Sequence, residues 1–125
     1  MRQRYIPKSF GPTDGEAAAG DPFASAEEAW FWFIRCQCAR LQGARFEPGR
    51  VETRRPCDPD DLYRAVMGLH RARRLGGVHL RVLGVFGLRE RPPDPRRREE
   101  ELSARLWGEA LDMLTTVLKA KGIVA

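Results

Sequence analysis

The 125-residue chain lacks the short motifs by which most enzymes are identified. It has no glycine-rich phosphate loop, no nucleophile elbow, no dinucleotide-binding fingerprint and no visible pairing of a base with a nucleophile. The acidic residues at 58, 60 and 61 and at 99–101 are better explained as helix starts, because the helix dipole favours negative charge in the first turn. We therefore predict a protein that is not an enzyme, binds no cofactor and has no small-molecule substrate.

Metal-binding residue types are also scarce, with three cysteines and two histidines. Cys36 and Cys38 stand two residues apart in a predicted helix, where their side chains point to nearly opposite sides and cannot reach one ion. Cys57, His70 and His79 could complete a four-ligand set in principle, but no Cys-x-x-Cys or His-x-x-x-His pair supports one. The sequence therefore predicts no metal site and no disulfide framework.

Long apolar runs are missing as well. The most apolar stretch, WFWFI at 30–34, is closed by Arg35 and falls far short of the roughly 18 residues that cross a bilayer. The first residues are basic but lack the apolar segment of a secretory signal. We therefore expect no membrane insertion and a cytoplasmic location.

Lysine is rare although the chain is basic: three of the 22 basic residues are lysine, and the net charge is +5. Between residues 64 and 98 ten arginines face two acids, a net charge of +8, whereas the rest of the chain is net acidic. Such a concentration indicates phosphate contacts. The candidate nucleic-acid-binding residues are Arg71, Arg73, Arg74, Arg81, Arg89, Arg91, Arg96, Arg97 and Arg98. An arginine-rich genome would also produce this composition, so both explanations stay open.

Capping residues mark where the first two helices begin. A capping box after Ser25 predicts a helix that ends at Gly43. Asp58 followed by Pro59 predicts a second helix, which the glycines at 76 and 77 should end. We predict a loop between these two helices.

The segment 78–91 alternates in part like a strand, but its apolar residues also fit a helical spacing. We predict a helix, because helical segments stand on either side. Asp94 followed by Pro95 predicts the start of the longest helix, which Gly122 should end. The predicted fold is therefore all-α: a single domain at 23–125, a bundle of about four helices, preceded by a flexible N-terminal arm at 1–22.

The stretch WFWFI makes the first helix apolar on several faces, since Trp30 and Ile34 share one stripe while Phe31 and Trp32 lie on others. Either this helix is central to the bundle, or one face is left for a partner. Our alternative hypothesis is therefore a protein-interaction module or homodimer. Its contact surface would be Trp30, Phe31 and Trp32, or the broad apolar face of the last helix.

Residues 68–87, GLHRARRLGGVHLRVLGVFG, resemble a helix-turn-helix. The small or apolar positions of that motif are filled by Ala72, Gly76, Val82 and Val85. Arg71 and Gly77 depart from the pattern, and the second helix offers base edges only His79 and Arg81. The resemblance implies DNA binding. Because the second helix has so few side chains that can hydrogen-bond a base edge, we expect phosphate contacts to dominate.

Three further stretches are similar to a group of short uncharacterised bacterial proteins: PFASAEEAW at 22–30, RPCDPDD at 55–61 and KGIV at 121–124. This resemblance spans residues 22–125 and implies a single domain, without an activity, ligand or site. We therefore predict a small non-enzymatic bacterial regulator that binds nucleic acid, DNA in the first place, through an arginine-rich helical surface.

Overall fold

The first helix, α1, spans Ala26–Leu41 and is capped as predicted. The Ser25 Oγ accepts a hydrogen bond from the Glu28 N–H at 3.1 Å, and the Glu28 carboxylate accepts one from the Ala24 N–H at 2.7 Å. Gly43, with φ +95°, follows the helix in the left-handed conformation. The structure, a computed structural model, describes residues 20–43 and 55–125. Most of the predicted arm and most of the predicted loop lie outside these residues.

The second helix, α2, spans Pro59–Arg71 and begins at the predicted proline. The Asp61 carboxylate accepts a hydrogen bond from the Asp58 N–H at 3.0 Å, so an acid of the first turn caps the start of the helix. The end predicted at the glycines 76 and 77 is wrong, because the left-handed conformation falls earlier, on Arg73 (φ +64°). The reason lies in Leu75, whose burial requires the chain to leave the helix and turn back toward the core.

The third helix, α3, spans Gly77–Arg89, which confirms a helix rather than a strand in this segment. Gly76 donates its N–H to the Nδ1 of His79 at 3.0 Å, and this bond caps the start of the helix. Glu90, with φ +58°, follows the end. Both ends of α3 are therefore set by residues within or next to it.

The fourth helix, α4, spans Glu101–Ala120, so the start predicted at Pro95 is wrong. A short 3₁₀ turn, Arg98–Glu100, precedes it. The carboxylate of Glu100 folds back and binds the guanidinium of Arg91, nine residues earlier in the chain. The α-helix begins at Glu101, the residue that follows Glu100 in the chain.

Helix α4 ends as predicted, and the residues that follow it contact the segment before α1. Gly122, with φ +77°, lets the Ile123 N–H donate to the Leu118 carbonyl at 2.9 Å. Phe23 then donates its N–H to the Ile123 carbonyl at 2.9 Å and accepts the Ala125 N–H at 3.0 Å. The segment before α1 is thus bonded to the segment after α4.

Helix α1 contacts each of the other three helices, as α4 also does. Trp30 and Trp32 are buried and Phe31 is half-buried, so the partner-binding surface predicted on these residues is wrong: they belong to the core. On the last helix Leu114 and Leu118 are buried whereas Leu102 is exposed, so its apolar face is covered in part. The described residues form an all-α domain of four helices, and none of these helices is long and apolar enough to cross a membrane.

Helix α3 is held against α1 by a close approach at Gly87. The Trp30 Nε1–H donates to the Leu83 carbonyl at 2.9 Å. A Cβ on Gly87 would lie 2.9 Å from the Ile34 Cγ1 and 3.0 Å from the Trp30 Nε1, so only glycine leaves room for both side chains. This contact lies on the buried side of α3, which consists of Val82, Leu83, Phe86 and Gly87.

We expect Gly87→Ala to lower the free energy of unfolding by about 1–3 kcal/mol, because the added methyl group would overlap Ile34 and Trp30. The matched control is Gly84→Ala in the same helix, where a Cβ meets nothing within 4 Å. Helix propensity should make that control more stable by up to about 1 kcal/mol. Urea denaturation measures both changes, and a neutral or stabilising Gly87→Ala would contradict the close approach.

Candidate nucleic-acid interface

The first group of predicted arginines lies where α2 ends and the chain turns toward α3. Arg71, Arg73 and Arg74 are exposed, and their guanidinium groups make no hydrogen bond or ion pair with any residue that the structure describes. Their backbone is nevertheless well held, since the Arg74 N–H donates to the Leu69 carbonyl and the Arg73 N–H to the His70 carbonyl, each at 2.9 Å. We call these three residues the turn arginines. Their positive charges are exposed, and backbone hydrogen bonds fix the positions from which the side chains extend.

The second group lies in the proline-containing linker between α3 and α4. Arg97 and Arg98 are exposed, and their guanidinium groups make no hydrogen bond or ion pair within the described part of the chain; we call them the linker arginines. Besides the larger effect of hydrogen bonds, the charge of Arg97 nevertheless helps to lower the pKa values of Asp94 and Glu100. Arg96 differs, because the Asp94 carboxylate accepts its N–H at 2.9 Å and its Nε–H at 3.2 Å. These hydrogen bonds lower the pKa of Asp94 and raise the pKa of Arg96. The charge of Arg96 is therefore partly neutralised within the linker.

Arg91 is also paired, with the buried carboxylate of Glu100. The pair is bidentate, with an Nη1–Oε1 distance of 3.0 Å and an Nη2–Oε2 distance of 2.7 Å. The Asp94 N–H donates to the same carboxylate at 2.8 Å. Together these bonds lower the pKa of Glu100 to about 2. Arg91 thus joins the end of α3 to the start of α4, and its charge is already matched.

Two predicted arginines lie on α3 itself. Arg81 is exposed and makes no side-chain hydrogen bond or ion pair with a described residue, whereas the Arg89 guanidinium lies over the Phe86 ring, 5.0 Å from its centroid. His79 is fully bonded: its Nδ1 caps α3, and its Nε2 lies 2.9 Å from the Glu109 Oε1. This geometry fits a neutral ring with its proton on Nε2. Of the two residues that the sequence offers to base edges, His79 and Arg81, only Arg81 has a side chain without a hydrogen bond to a described residue.

Helix α3 sets the spacing between the two groups of arginines. Its 13 residues, at 1.5 Å each, extend for about 20 Å. Duplex DNA carries one phosphate charge per roughly 1.7 Å of its axis, so this span faces on the order of ten such charges. The turn arginines, the linker arginines and Arg81 together are called the arginine surface below.

The exposed side of α3 also carries apolar residues that the sequence analysis missed. Val78, Val85 and Leu88 expose 58%, 38% and 66% of their surface. With Arg81 they follow one another at intervals of three, four and three residues, which places them on one side of a helix. The sequence does show an apolar excess in this segment, but the pattern does not tell which side faces outward. We call Val78, Val85 and Leu88 the α3 stripe.

The packing of α2 and α3 differs from that of a helix-turn-helix. In that motif the two helices pack against each other across a short turn. Here α2 packs on α1 and α4, and α3 packs mainly on α4. Ala72, which the resemblance places on the first helix, lies beyond the end of α2, and Val85 is exposed. The resemblance over residues 68–87 therefore does not extend to the arrangement of the helices.

No group of three or more histidine, cysteine or acidic residues in the described chain is arranged to hold a metal ion. Burial, together with the nearby negative charges of Asp61 and Asp58, raises the pKa of the Cys57 thiol to about 12. A thiol with this pKa is almost entirely protonated at neutral pH. Cys57 is therefore a poor nucleophile.

Comparison of the chain with models of known protein families, with curated protein sequences and with solved structures finds no match. The resemblance to short bacterial proteins therefore stays a prediction. The charged and apolar side chains around α3 are the features of the described residues that bear most directly on function.

We expect the pairing of Glu100 with Arg91 to make folding stability depend on pH. The folded-state pKa of about 2 lies below the ordinary value of 4.5, so the carboxylate stabilises the fold fully above pH 4.5. This contribution is lost as the pH falls through that window toward 2, because the unfolded chain takes up the proton first. The difference in melting temperature between wild type and Glu100→Gln should be largest near neutral pH and shrink steadily below pH 4.5.

Glu99→Gln is the matched control for this measurement. Glu99 is exposed, and its carboxylate makes no hydrogen bond or ion pair with a described residue. Its replacement should leave the melting temperature near that of the wild type at neutral pH. A deficit of Glu100→Gln that stayed constant across the acid range would contradict the ion pair.

Proposed function

We propose that the protein is a non-enzymatic bacterial regulator that binds nucleic acid through the arginine surface. The preferred nucleic acid in this proposal is duplex DNA. One observation supports this above all: the arginine surface is exposed, and its guanidinium groups make no hydrogen bond or ion pair with an acid of the described residues. Other arginines of the chain do have acidic partners, as Arg40 has Asp60 at 3.0 Å. Clustered like charges repel one another, and a bound polyanion would relieve that repulsion.

The contacts would be mainly to phosphates. The outward side chains of α3 are chiefly Arg81 and the α3 stripe, so this helix offers base edges few hydrogen-bonding groups. Arginines beyond both ends of the helix would position the duplex without reading its sequence. We therefore expect strongly salt-dependent binding with little sequence preference.

Fluorescence anisotropy with a labelled random-sequence duplex of about 20 base pairs tests this proposal. Wild-type protein should bind with a slope of several units in log affinity against log salt, at about 0.9 per phosphate neutralised. The variant R73E/R74E should lower this slope by about 2 and weaken binding at low salt by about tenfold or more, because two phosphate contacts become repulsive.

The charge-matched control is R35E/K119E, which changes the net charge equally on α1 and at the end of α4. Both residues are exposed and lie outside the arginine surface. This variant should bind nearly as well as the wild type. Equal weakening in both variants would show a general charge effect, and unchanged affinity in R73E/R74E would remove the proposal.

Arg73→Gly separates binding from folding. Arg73 adopts a positive φ, which glycine adopts without strain, so this variant should be at least as stable as the wild type. It nevertheless loses one cation of the arginine surface. The salt slope should fall by about 1, and wild-type binding by Arg73→Gly would show that Arg73 is not a phosphate contact.

A further inference from the structure

The α3 stripe is the largest group of exposed apolar side chains that the described helices place on one side. Val78 and Leu88, its outermost members, expose 58% and 66% of their surface. The other large apolar residues that are more than half exposed lie singly on other helices: Leu41, Tyr63 and Leu102. Single exposed apolar residues are ordinary, whereas an aligned set indicates a contact surface.

The middle of this side of α3 is open to close approach. Gly84 lies between Arg81 and Leu88 along the helix, and a Cβ there would meet nothing within 4 Å. From Val78 to Leu88 the stripe runs for about 15 Å, or three helical turns. A second helix of similar length could lie along it with its apolar residues against the stripe.

We propose that the α3 stripe is the docking surface for an amphipathic helical segment of a partner protein that carries acidic residues at both ends. Charge complementarity identifies this occupant. The turn arginines lie beyond one end of the stripe, and Arg89 with the linker arginines lies beyond the other. An acidic residue at each end of the partner helix would meet these groups while its apolar side covers the stripe.

A second copy of this chain fits the surface poorly. If two α3 helices paired in antiparallel orientation, the turn arginines of one copy would meet the linker arginines of the other. In parallel orientation each group would meet itself. Like charges would face each other in both cases, which disfavours association.

Docking of this kind does not depend on nucleic-acid binding, but one consequence does. If the arginine surface binds nucleic acid as proposed above, an acidic helix on the α3 stripe would occupy the same arginines. The two ligands would then exclude each other, and the partner would act as a regulator of nucleic-acid binding.

A naive display library of random peptides of about 16 residues, long enough for four helical turns, tests the docking surface directly. Selection is run in parallel against wild type, V78Q/L88Q and the control Y63Q/L102Q. V78Q/L88Q keeps every arginine and uses a good helix former, so it removes only the apolar contact. Y63Q/L102Q removes two apolar residues elsewhere that are similarly exposed.

We expect wild type and Y63Q/L102Q to enrich the same peptides, with apolar residues at helical spacing and Asp or Glu at both ends. A synthetic peptide of this sequence should bind V78Q/L88Q at least tenfold more weakly than wild type. Enrichment that is the same for V78Q/L88Q, that favours basic peptides, or that fails for all three proteins would overturn the proposal.

Three further measurements on the same variants identify any other occupant. These are binding of the labelled duplex, binding to phosphatidylcholine vesicles containing phosphatidylserine, and mass in solution at high protein concentration. If V78Q/L88Q weakens any of these while no acidic peptide is selected, the stripe serves DNA, a membrane surface or a second copy, and the proposal is wrong. Peptide binding that depends on the stripe would support it even if the duplex binds no variant.

Discussion

The packing of α3, through its close approach to α1 at Gly87 and its larger contact with α4, decides which of its residues face outward. Trp30 donates to the Leu83 carbonyl, and the missing side chain at position 87 lets Trp30 and Ile34 lie against the α3 backbone. Helix α3 cannot rotate about its axis without breaking both contacts. Its buried side therefore faces the core, while Arg81 and the α3 stripe point outward, and the turn and linker arginines lie beyond the two ends of the same helix.

Ion pairs then divide the arginines into two kinds. Arg91 is matched by the buried Glu100, and Arg96 by Asp94, so these two arginines hold the linker between α3 and α4 in place. The linker arginines lie on the same segment and make no hydrogen bond or ion pair with an acid of the described residues. An arginine-rich genome can account for the number of arginines, but which of them are paired depends on where the fold places the acids.

Local signals were sufficient for most helix ends, because a cap acts over three or four residues: Ser25, Pro59 and Gly122 all lie where the sequence predicts. Two ends were wrong because distant contacts override local ones, through Glu100 reaching Arg91 and through the burial of Leu75. The predicted site contained both arginines that have an acidic partner and arginines that have none among the described residues, because such pairing also depends on contacts between residues that are apart in the chain. The α3 stripe was missed because a helix with apolar residues on several sides does not reveal its own rotation.

Chemical modification of arginine by a glyoxal reagent, followed residue by residue with mass spectrometry, tests the central claim most directly. The protein is compared with and without a random-sequence duplex at low salt. The arginine surface should react readily in the free protein and be protected by the duplex at both ends of α3, while Arg35 on α1 reacts equally in both samples. Protection that is uniform over all exposed arginines, or that occurs at neither end of α3, would contradict a phosphate-binding surface built around this helix.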